Sequence, residues 1–198
     1  MITKIDHIGI TSTDIESYIS VLDRVGYSLL FHEKNAPNPP EKKLVLLKHS
    51  PRHDLALLAS STGIGIEFLN HGVMTETVSP MSLLLTGANK LAFKCCREVA
   101  ICGRTYTEVA ISSILCNALV LNQSGPFSCK GVCVFVQNIN KSIEFWKWFG
   151  CKVVEADEYS AHLSFRELLS KKTWTIYLVV DADRESRQYM DGQGVNSV

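Results

Sequence analysis

Two residues stand out as candidates for chemistry, one histidine near the start of the chain and one glutamate in a later apolar run. His7 lies in residues 5–10, which alternate like a short strand. Glu67 follows sixty residues later, in the apolar strand predicted over residues 64–69. A partly apolar cleft disfavours the charged form of a carboxylate, so Glu67 could act as a general base that removes a proton next to a carbonyl group. His7 has two interpretations, a hydrogen-bonded structural residue or part of the same site.

Two aromatic residues are candidates for lining a substrate cleft. Trp174 and Tyr177 lie three residues apart in the strand predicted over residues 173–180, so their side chains point to opposite faces. One of them should therefore face the concave side of a curled sheet, where an aromatic surface suits a flat or apolar ligand. The aromatic residues in 145–149 cluster around the second predicted helix, where Ile143, Trp146 and Gly150 share one face, and we expect the cluster to pack in the core.

The elements that position His7 are a strand and the amphipathic helix that follows it. Residues 13–14 offer side-chain oxygens for a helix N-cap, and Gly26 suits the left-handed residue that ends a helix. Between them, apolar residues recur at helical spacing: Ile15, Tyr18, Ile19, Leu22 and Val25. The opening of the chain is therefore predicted to be strand, helix and strand.

The same order of elements returns in residues 131–154. The two segments align without a gap at a constant spacing of 124 residues, which joins Ile15 to Ile139, Ile19 to Ile143 and Gly26 to Gly150. Such an internal repeat indicates a fold built from duplicated units.

Two such units resemble the vicinal oxygen chelate superfamily, which includes glyoxalase I, methylmalonyl-CoA epimerase, fosfomycin and bleomycin resistance proteins and extradiol dioxygenases. Residues 5–10 with 14–16 are similar to the opening motif of the superfamily, and residues 63–69 to its last strand. The resemblance covers residues 3–71 and 128–181. It implies an α+β fold of paired βαβββ units, whose curled mixed sheets form a cleft.

In that superfamily a divalent metal is held in the cleft by a histidine or glutamate from the first and last strands of each unit. The resemblance therefore implies that His7 and Glu67 are ligands of zinc, manganese, iron or nickel. Gly131 and Tyr177 hold the matching positions of the second unit, and neither is an ordinary metal ligand. The other ligands would come from a second copy of the chain in a homodimer, from water, or from residues following Val198.

The rest of the chain is divided on composition. Residues 73–127 are predicted to be a linker with an incomplete unit, whose opening strand would contain Lys90. A helix is predicted over residues 97–110, and the tail is interpreted as the start of a further, truncated unit. The predicted organisation is a first unit over 1–72, this middle segment over 73–127, a second unit over 128–181 and the tail over 182–198.

The remaining histidines and the cysteines carry weaker signals. The five histidines besides His7 are predicted to lie at strand ends or in loops, mostly in contact with solvent, and among them only His53 and His71 are considered as auxiliary metal ligands. The seven cysteines have irregular spacing and include no CxxC pair. This pattern predicts reduced, mostly buried thiols in a cytoplasmic protein.

Composition argues against two classes of partner. The 198 residues carry 20 basic and 20 acidic side chains, for a formal net charge of zero, and no basic run is long enough to follow a phosphate backbone. Nucleic acid and anionic membrane surfaces are therefore not expected as partners. The longest apolar runs are also shorter than a membrane span. The expected partner is a small-molecule ligand.

Three functions follow from these patterns. The first is a metal-dependent lyase, isomerase or dioxygenase that acts on a small oxygenated substrate through His7 and Glu67. The second is a metal-free binding protein of the resistance type, which would hold a small molecule in an aromatic-lined cleft. The third is a noncatalytic module that docks onto a larger protein or assembly.

Overall fold

The computed structural model describes residues 4–46, 48–72, 75–78, 81–87, 94–111, 116–122, 124–168, 170–181 and 192–197. The first unit comprises β1 (His7–Thr11), α1 (Ile15–Asp23), β2 (Ser28–Pro37), a 3₁₀-helix (Pro40–Leu44), β3 (Arg52–Ala59) and β4 (Gly65–Asn70). The middle of the chain contains β5 (Thr75–Val78), β6 (Met81–Thr86), β7 (Lys94–Ile101), β8 (Arg104–Ile111) and β9 (Cys116–Asn122). The second unit comprises β10 (Ser128–Val136), α2 (Ile139–Trp148), β11 (Lys152–Ala156), β12 (Ser160–Arg166) and β13 (Thr173–Val180), and β14 (Gly192–Ser197) follows it.

The strands form two curled mixed sheets. The six-stranded sheet has the order β2-β3-β4-β1-β14-β5, and the eight-stranded sheet has the order β11-β12-β13-β10-β6-β9-β8-β7. In each full unit the first strand runs parallel to the last strand, as β1 does with β4 and β10 with β13. On its other side, β1 pairs antiparallel with β14 and β10 pairs antiparallel with β6. The α+β architecture predicted from the sequence is thus confirmed, and the two full units contribute their four strands to different sheets.

The two full units match at both ends of their helices. The side chains of Asp14 and Asn138 cap α1 and α2 by accepting hydrogen bonds from backbone N–H groups three residues later. After each helix, Gly26 and Gly150 have positive φ angles of 95° and 98°. Glycine adopts this conformation without the steric cost that a Cβ atom would add, so both helices end where the sequence predicts.

Two clusters of buried residues hold the sheets together. The larger cluster joins the helix-facing sides of both sheets through apolar residues such as Ile8, Phe68, Leu83, Val109 and Leu178. In the eight-stranded sheet, β7 at one end contacts β12 and β13 near the other end, so the sheet curls around its own interior. That interior is filled by the second cluster: Leu84, Val99, Ile101, Leu119, Cys133, Phe135, Tyr177 and Val179.

The predicted helix over residues 97–110 is wrong. This segment contributes to the hairpin of β7 and β8, in which Ile101 pairs with Arg104 across a two-residue loop. The loop residues Cys102 and Gly103 both have positive φ angles, 47° and 71°. Two positive angles at the centre of a two-residue loop match the right-handed twist of paired strands. Lys90, the residue proposed for an opening strand, lies outside the described residues, and β6 occupies the position beside β10.

The expectation that the aromatic cluster of α2 packs in the core is also wrong for two of its members. Trp148 is 80% exposed and Phe145 is 55% exposed, whereas Trp146 packs against the larger cluster. Trp148 lies 124 residues after Arg24 in the aligned units, so the aromatic ring occupies a position where the first unit has a charged side chain.

The expectations about cysteines and membrane spans can be compared with the structure only over the described residues. Six cysteines there are free thiols, and four of them are buried: Cys116, Cys129, Cys133 and Cys151. Neither α1 nor α2 has the length and apolar character that a membrane-crossing helix needs, and no other described helix does.

Candidate metal centre

His7 and Glu67 lie close together on one face of the six-stranded sheet. In the parallel pairing of β1 with β4, His7 is opposite Gly65 and Gly9 is opposite Glu67. The strand neighbours of His7 and Glu67 point the other way, into the larger cluster: Ile8, Ile66 and Phe68. Alternation along both strands therefore places the imidazole and the carboxylate on the side of the sheet away from the helices, which we call the open face.

The two side chains approach each other closely enough to share a proton or a metal ion. Nε2 of His7 lies 3.4 Å from Oε2 of Glu67, and the side chains are 33% and 17% exposed. Two donors bound at about 2.0–2.1 Å in a tetrahedral shell lie about 3.4 Å apart. The donor types and their separation thus fit a divalent metal. The hydrogen bond with Glu67 also raises the pKa of His7, while burial acts in the opposite direction.

Asp6 orients the imidazole from the other side, and sequence reasoning gave it no role. Nδ1 of His7 lies 3.3 Å from Oδ2 of Asp6, and Oδ1 of the same carboxylate forms an ion pair with Lys4. Hydrogen bonds with Lys4 and then His7 lower the pKa of Asp6, so its carboxylate is available to accept the Nδ1 proton. A carboxylate behind a histidine is the usual way in which proteins hold a metal-binding imidazole in one orientation.

Strand alternation explains why this contact was missed. Adjacent residues in a strand point to opposite faces, so Asp6 and His7 would not be expected to meet. β1 begins at His7, however, and Asp6 precedes it outside the regular strand. In the sequence, the feature that could have indicated this contact is the aspartate directly before the first residue of the strand.

The residues opposite Glu67 differ on the two neighbouring strands. Gly9 of β1 lies opposite Glu67 and has no side chain, whereas Leu57 of β3 lies opposite it on the other side. The carboxylate therefore has an apolar neighbour on the β3 side and no side chain directly opposite it on β1, and the Glu67 side chain is 17% exposed.

The second unit holds no comparable pair. Gly131 and Tyr177 occupy the same register positions as His7 and Glu67, because Gly131 pairs with Thr175 and Cys133 pairs with Tyr177. A Cβ atom at Gly131 would lie 1.7 Å from the carbonyl oxygen of Thr175, so the backbone leaves no room for a side chain. The eight-stranded sheet thus has no metal ligand at either of these positions.

Trp174 and Tyr177 point to opposite faces of β13 and lie in separate environments. Tyr177 is buried in the second cluster, where its hydroxyl lies 3.1 Å from that of Tyr106 and its ring packs 5.0 Å from His162. The cavity beside it measures about 10 Å³, roughly the minimum that one water needs. Trp174 instead lines a cavity of about 200 Å³. A ligand contact for either residue stays a prediction.

His53 and His71 form a separate buried pair. Their rings stack with centroids 5.5 Å apart and planes inclined by 26°. Burial lowers the pKa of His53, whose Nδ1 atom has no hydrogen-bond partner within the described structure. No group of three or more His, Cys, Asp or Glu residues in the described ranges is arranged to hold a metal. The structure therefore does not join either histidine to the His7 and Glu67 pair as a third ligand.

Comparison with known proteins identifies the architecture. No family model matches the sequence, and no curated protein matches it. In structure, the chain is similar to a putative dioxygenase from Bacillus subtilis subsp. subtilis str. 168, with a TM-score of 0.57 and 11% identity over 92% of this chain and 65% of that chain. It is also similar to glyoxalase I from Zea mays, with a TM-score of 0.56 and 14% identity over 92% of this chain and 69% of that chain. The chain has the vicinal oxygen chelate fold.

In this vicinal oxygen chelate fold, His7 and Glu67 lie on the first and last strands of one βαβββ unit. These are the strands from which the resemblance implies that metal ligands come. Sequence identity at this level supports the fold and leaves the reaction to be argued from the site. The chain spans 65% of the length of the Bacillus protein, so an activity of a whole relative is a proposal for this chain.

Proposed function

We propose that this chain is a metal-dependent enzyme of the vicinal oxygen chelate type, a lyase, isomerase or dioxygenase acting on a small oxygenated substrate. His7 and Glu67 would be two of its metal ligands. The observation that carries the proposal is the 3.4 Å separation between Nε2 of His7 and Oε2 of Glu67. A histidine and a carboxylate meeting on the open face suit zinc, manganese, iron or nickel.

The metal, Asp6 and Glu67 would have different roles in such a site. A divalent metal held there would supply Lewis-acid stabilisation for negative charge on a substrate oxygen. Asp6 would accept the Nδ1 proton of His7 and so keep Nε2 available as a donor. The carboxylate of Glu67 would also be the candidate general base, accepting a proton from a carbon next to a carbonyl group.

The ligand set that the described residues provide is incomplete. His7 and Glu67 supply two donors, and no described cluster of three candidate ligands contains them. Zinc sites that perform catalysis commonly use three protein ligands. The remaining positions would be filled by water, substrate oxygens or a second copy of the chain, and the small-molecule partner and homodimer predicted from the sequence remain proposals.

Calorimetry on chelator-treated protein tests the proposal. Zinc, manganese, iron and nickel would be added singly, with the heat of binding and the thermal midpoint followed in parallel. At least one metal should bind and raise the midpoint, because a ligand that binds only the folded state stabilises it. His7→Ala and Glu67→Gln should each remove this response.

A second histidine and glutamate pair provides the matched control. Nδ1 of His32 lies 3.8 Å from Oε1 of Glu16 in the same unit. His32→Ala should leave the metal response unchanged. Absence of a response to all four metals, or an equal response in His7→Ala, would refute the metal proposal.

The lack of a third ligand in the described residues favours one alternative, a metal-free protein that binds a small molecule. The cavity lined by Trp174 offers such a protein a binding volume of about 200 Å³. Binding of an aromatic ligand by protein that responds to no metal would support this alternative. Metal-dependent turnover of a small oxygenated substrate would refute it.

A further inference from the structure

The cavity that Trp174 lines lies between the first unit and the connection from β12 to β13. It measures about 200 Å³, and its walls come from both units, including Ile5, Leu30 and Leu57 from the first and Trp174 from the second. A protein cavity of about 150 Å³ lined by apolar side chains is large enough to hold benzene. The cavity here therefore has room for one aromatic ring and a small substituent.

Its apolar wall is built around a fixed indole ring. Nε1 of Trp174 donates a hydrogen bond of 2.7 Å to Oε1 of Glu167, and Trp174 is buried. With the polar edge of the indole satisfied, the part of the ring that reaches the cavity is apolar. Leu30 and Leu57 contribute aliphatic surface to the same cavity.

The charged lining residues differ in how they are partnered. Lys4 and Asp6 form an ion pair with each other. The two carboxylate oxygens of Glu167 accept hydrogen bonds from Trp174 and from Ser170. No described residue lies within ion-pair distance of the ammonium group of Lys172, which sits 5.6 Å from the centroid of the Trp174 ring. The cavity thus presents one cation, Lys172, that forms no ion pair among the described residues, although its charge helps to lower the pKa of Glu167.

We propose that this cavity binds a small aromatic monocarboxylate of about the size of benzoate. The carboxylate would accept hydrogen bonds from Nζ of Lys172, and the ring would lie against Trp174, Leu30 and Leu57. Neither His7 nor Glu67 lines this cavity. The inference therefore needs no bound metal, although Asp6 both lines this cavity and contacts His7, and metal-free protein is the material on which to test it.

Titration calorimetry with benzoate and with benzamide, its neutral analogue of similar shape, tests both halves of the proposal. Chelator-treated full chain should bind benzoate saturably and benzamide at least about tenfold more weakly, because a hydrogen bond to a charged group contributes more than a neutral one. Lys172→Gln should weaken benzoate binding by a similar factor. Lys171→Gln is the matched control, since Lys171 is adjacent in sequence but does not line the cavity, and it should bind as the parent does.

A second variant tests the location without disturbing the core. Leu30 is 61% exposed and lines the cavity, so Leu30→Trp should fill part of the space while the thermal midpoint stays near that of the parent. Weaker benzoate binding in this variant supports the assignment. Equal binding of benzamide, unchanged benzoate binding in Lys172→Gln or Leu30→Trp, or no benzoate binding would overturn it. Retention of benzoate binding in His7→Ala would separate this cavity from the metal centre.

Discussion

Nε2 of His7 and Oε2 of Glu67 lie 3.4 Å apart although sixty positions separate the two residues in the chain. The contact exists because the first and last strands of the βαβββ unit run parallel as neighbours in the sheet. Behind the imidazole, Asp6 contacts Nδ1 at 3.3 Å. A row of carboxylate, imidazole and carboxylate thus lies on the open face of the sheet.

The first prediction concerns the orienting role of Asp6. Asp6→Asn removes the charge that supports His7, so metal affinity should fall by about tenfold or more. The pKa of His7 should also fall, because the Asp6 carboxylate contributes to raising it. Calorimetry would measure the affinity, and an NMR titration would follow the imidazole. Asp23→Asn, at the end of α1, serves as the control, and an unchanged pKa of His7 in Asp6→Asn would refute the orienting role.

The second prediction concerns the end of α2. Gly150 has a φ angle of 98°, so Gly150→Val should lower the free energy of unfolding by about 1 kcal/mol or more, because a β-branched residue is poorly tolerated there. Gly150→Asn should cost less, since asparagine accepts left-handed angles more readily. Denaturant unfolding would measure both variants. An unfolding midpoint in Gly150→Val equal to that of the parent would show that the conformation at this residue is not required.

The third prediction separates steric clash from backbone strain. Gly131→Ala should destabilise the protein by at least about 2 kcal/mol, because the new methyl group would overlap the backbone oxygen of Thr175. Gly103→Ala is the matched control, since Gly103 also has a positive φ angle but its added Cβ atom meets nothing within 4 Å. Its cost should be about 1 kcal/mol, from strain alone. Equal losses in the two variants by chemical denaturation would contradict the clash at Gly131.

The fourth prediction concerns acid stability. Burial lowers the pKa of His53 and of His162 in the folded protein, so the unfolded chain binds protons more readily at both positions. Their contribution to the free energy of unfolding is present above about pH 6.5 and is lost as the pH falls below that value. His7 acts in the opposite sense, because its raised pKa contributes stability at low pH that is lost as the pH rises through the folded value.

Thermal midpoints at about pH 7.5 and pH 5.5 would reveal these contributions, since the two values bracket the ordinary histidine pKa. His53→Gln should lose less stability between the two values than the parent protein does, and His162→Gln should behave in the same way. His7→Gln removes the stability that His7 adds at low pH, so this variant should lose more stability between the two pH values than the parent does. The assignment would fail if all three variants kept the pH dependence of the parent.

The sequence by itself determined the architecture of the two full units, because the signals for their ends are local. Side-chain caps at Asp14 and Asn138 and the glycines at 26 and 150 act within one helical turn, and each can be read from a few neighbouring residues. Local signals gave a wrong prediction of a helix between residues 97 and 110. The turn at Cys102 and Gly103 instead joins two strands of a hairpin.

Only the tertiary structure decided which side chains meet, because contacts across a sheet depend on strand order and register. Pairing of β1 with β4 brings His7 to Glu67, while the position of Asp6 ahead of β1 lets it reach the same imidazole. The structure also placed Trp174 and Tyr177, neighbours in sequence, in a cavity and in a packed interior. The contacts of His7 arise within the first unit, from strand pairing and from the start of β1, whereas the cavity beside Trp174 is lined by residues of both units. Local spacing along the chain encodes neither arrangement.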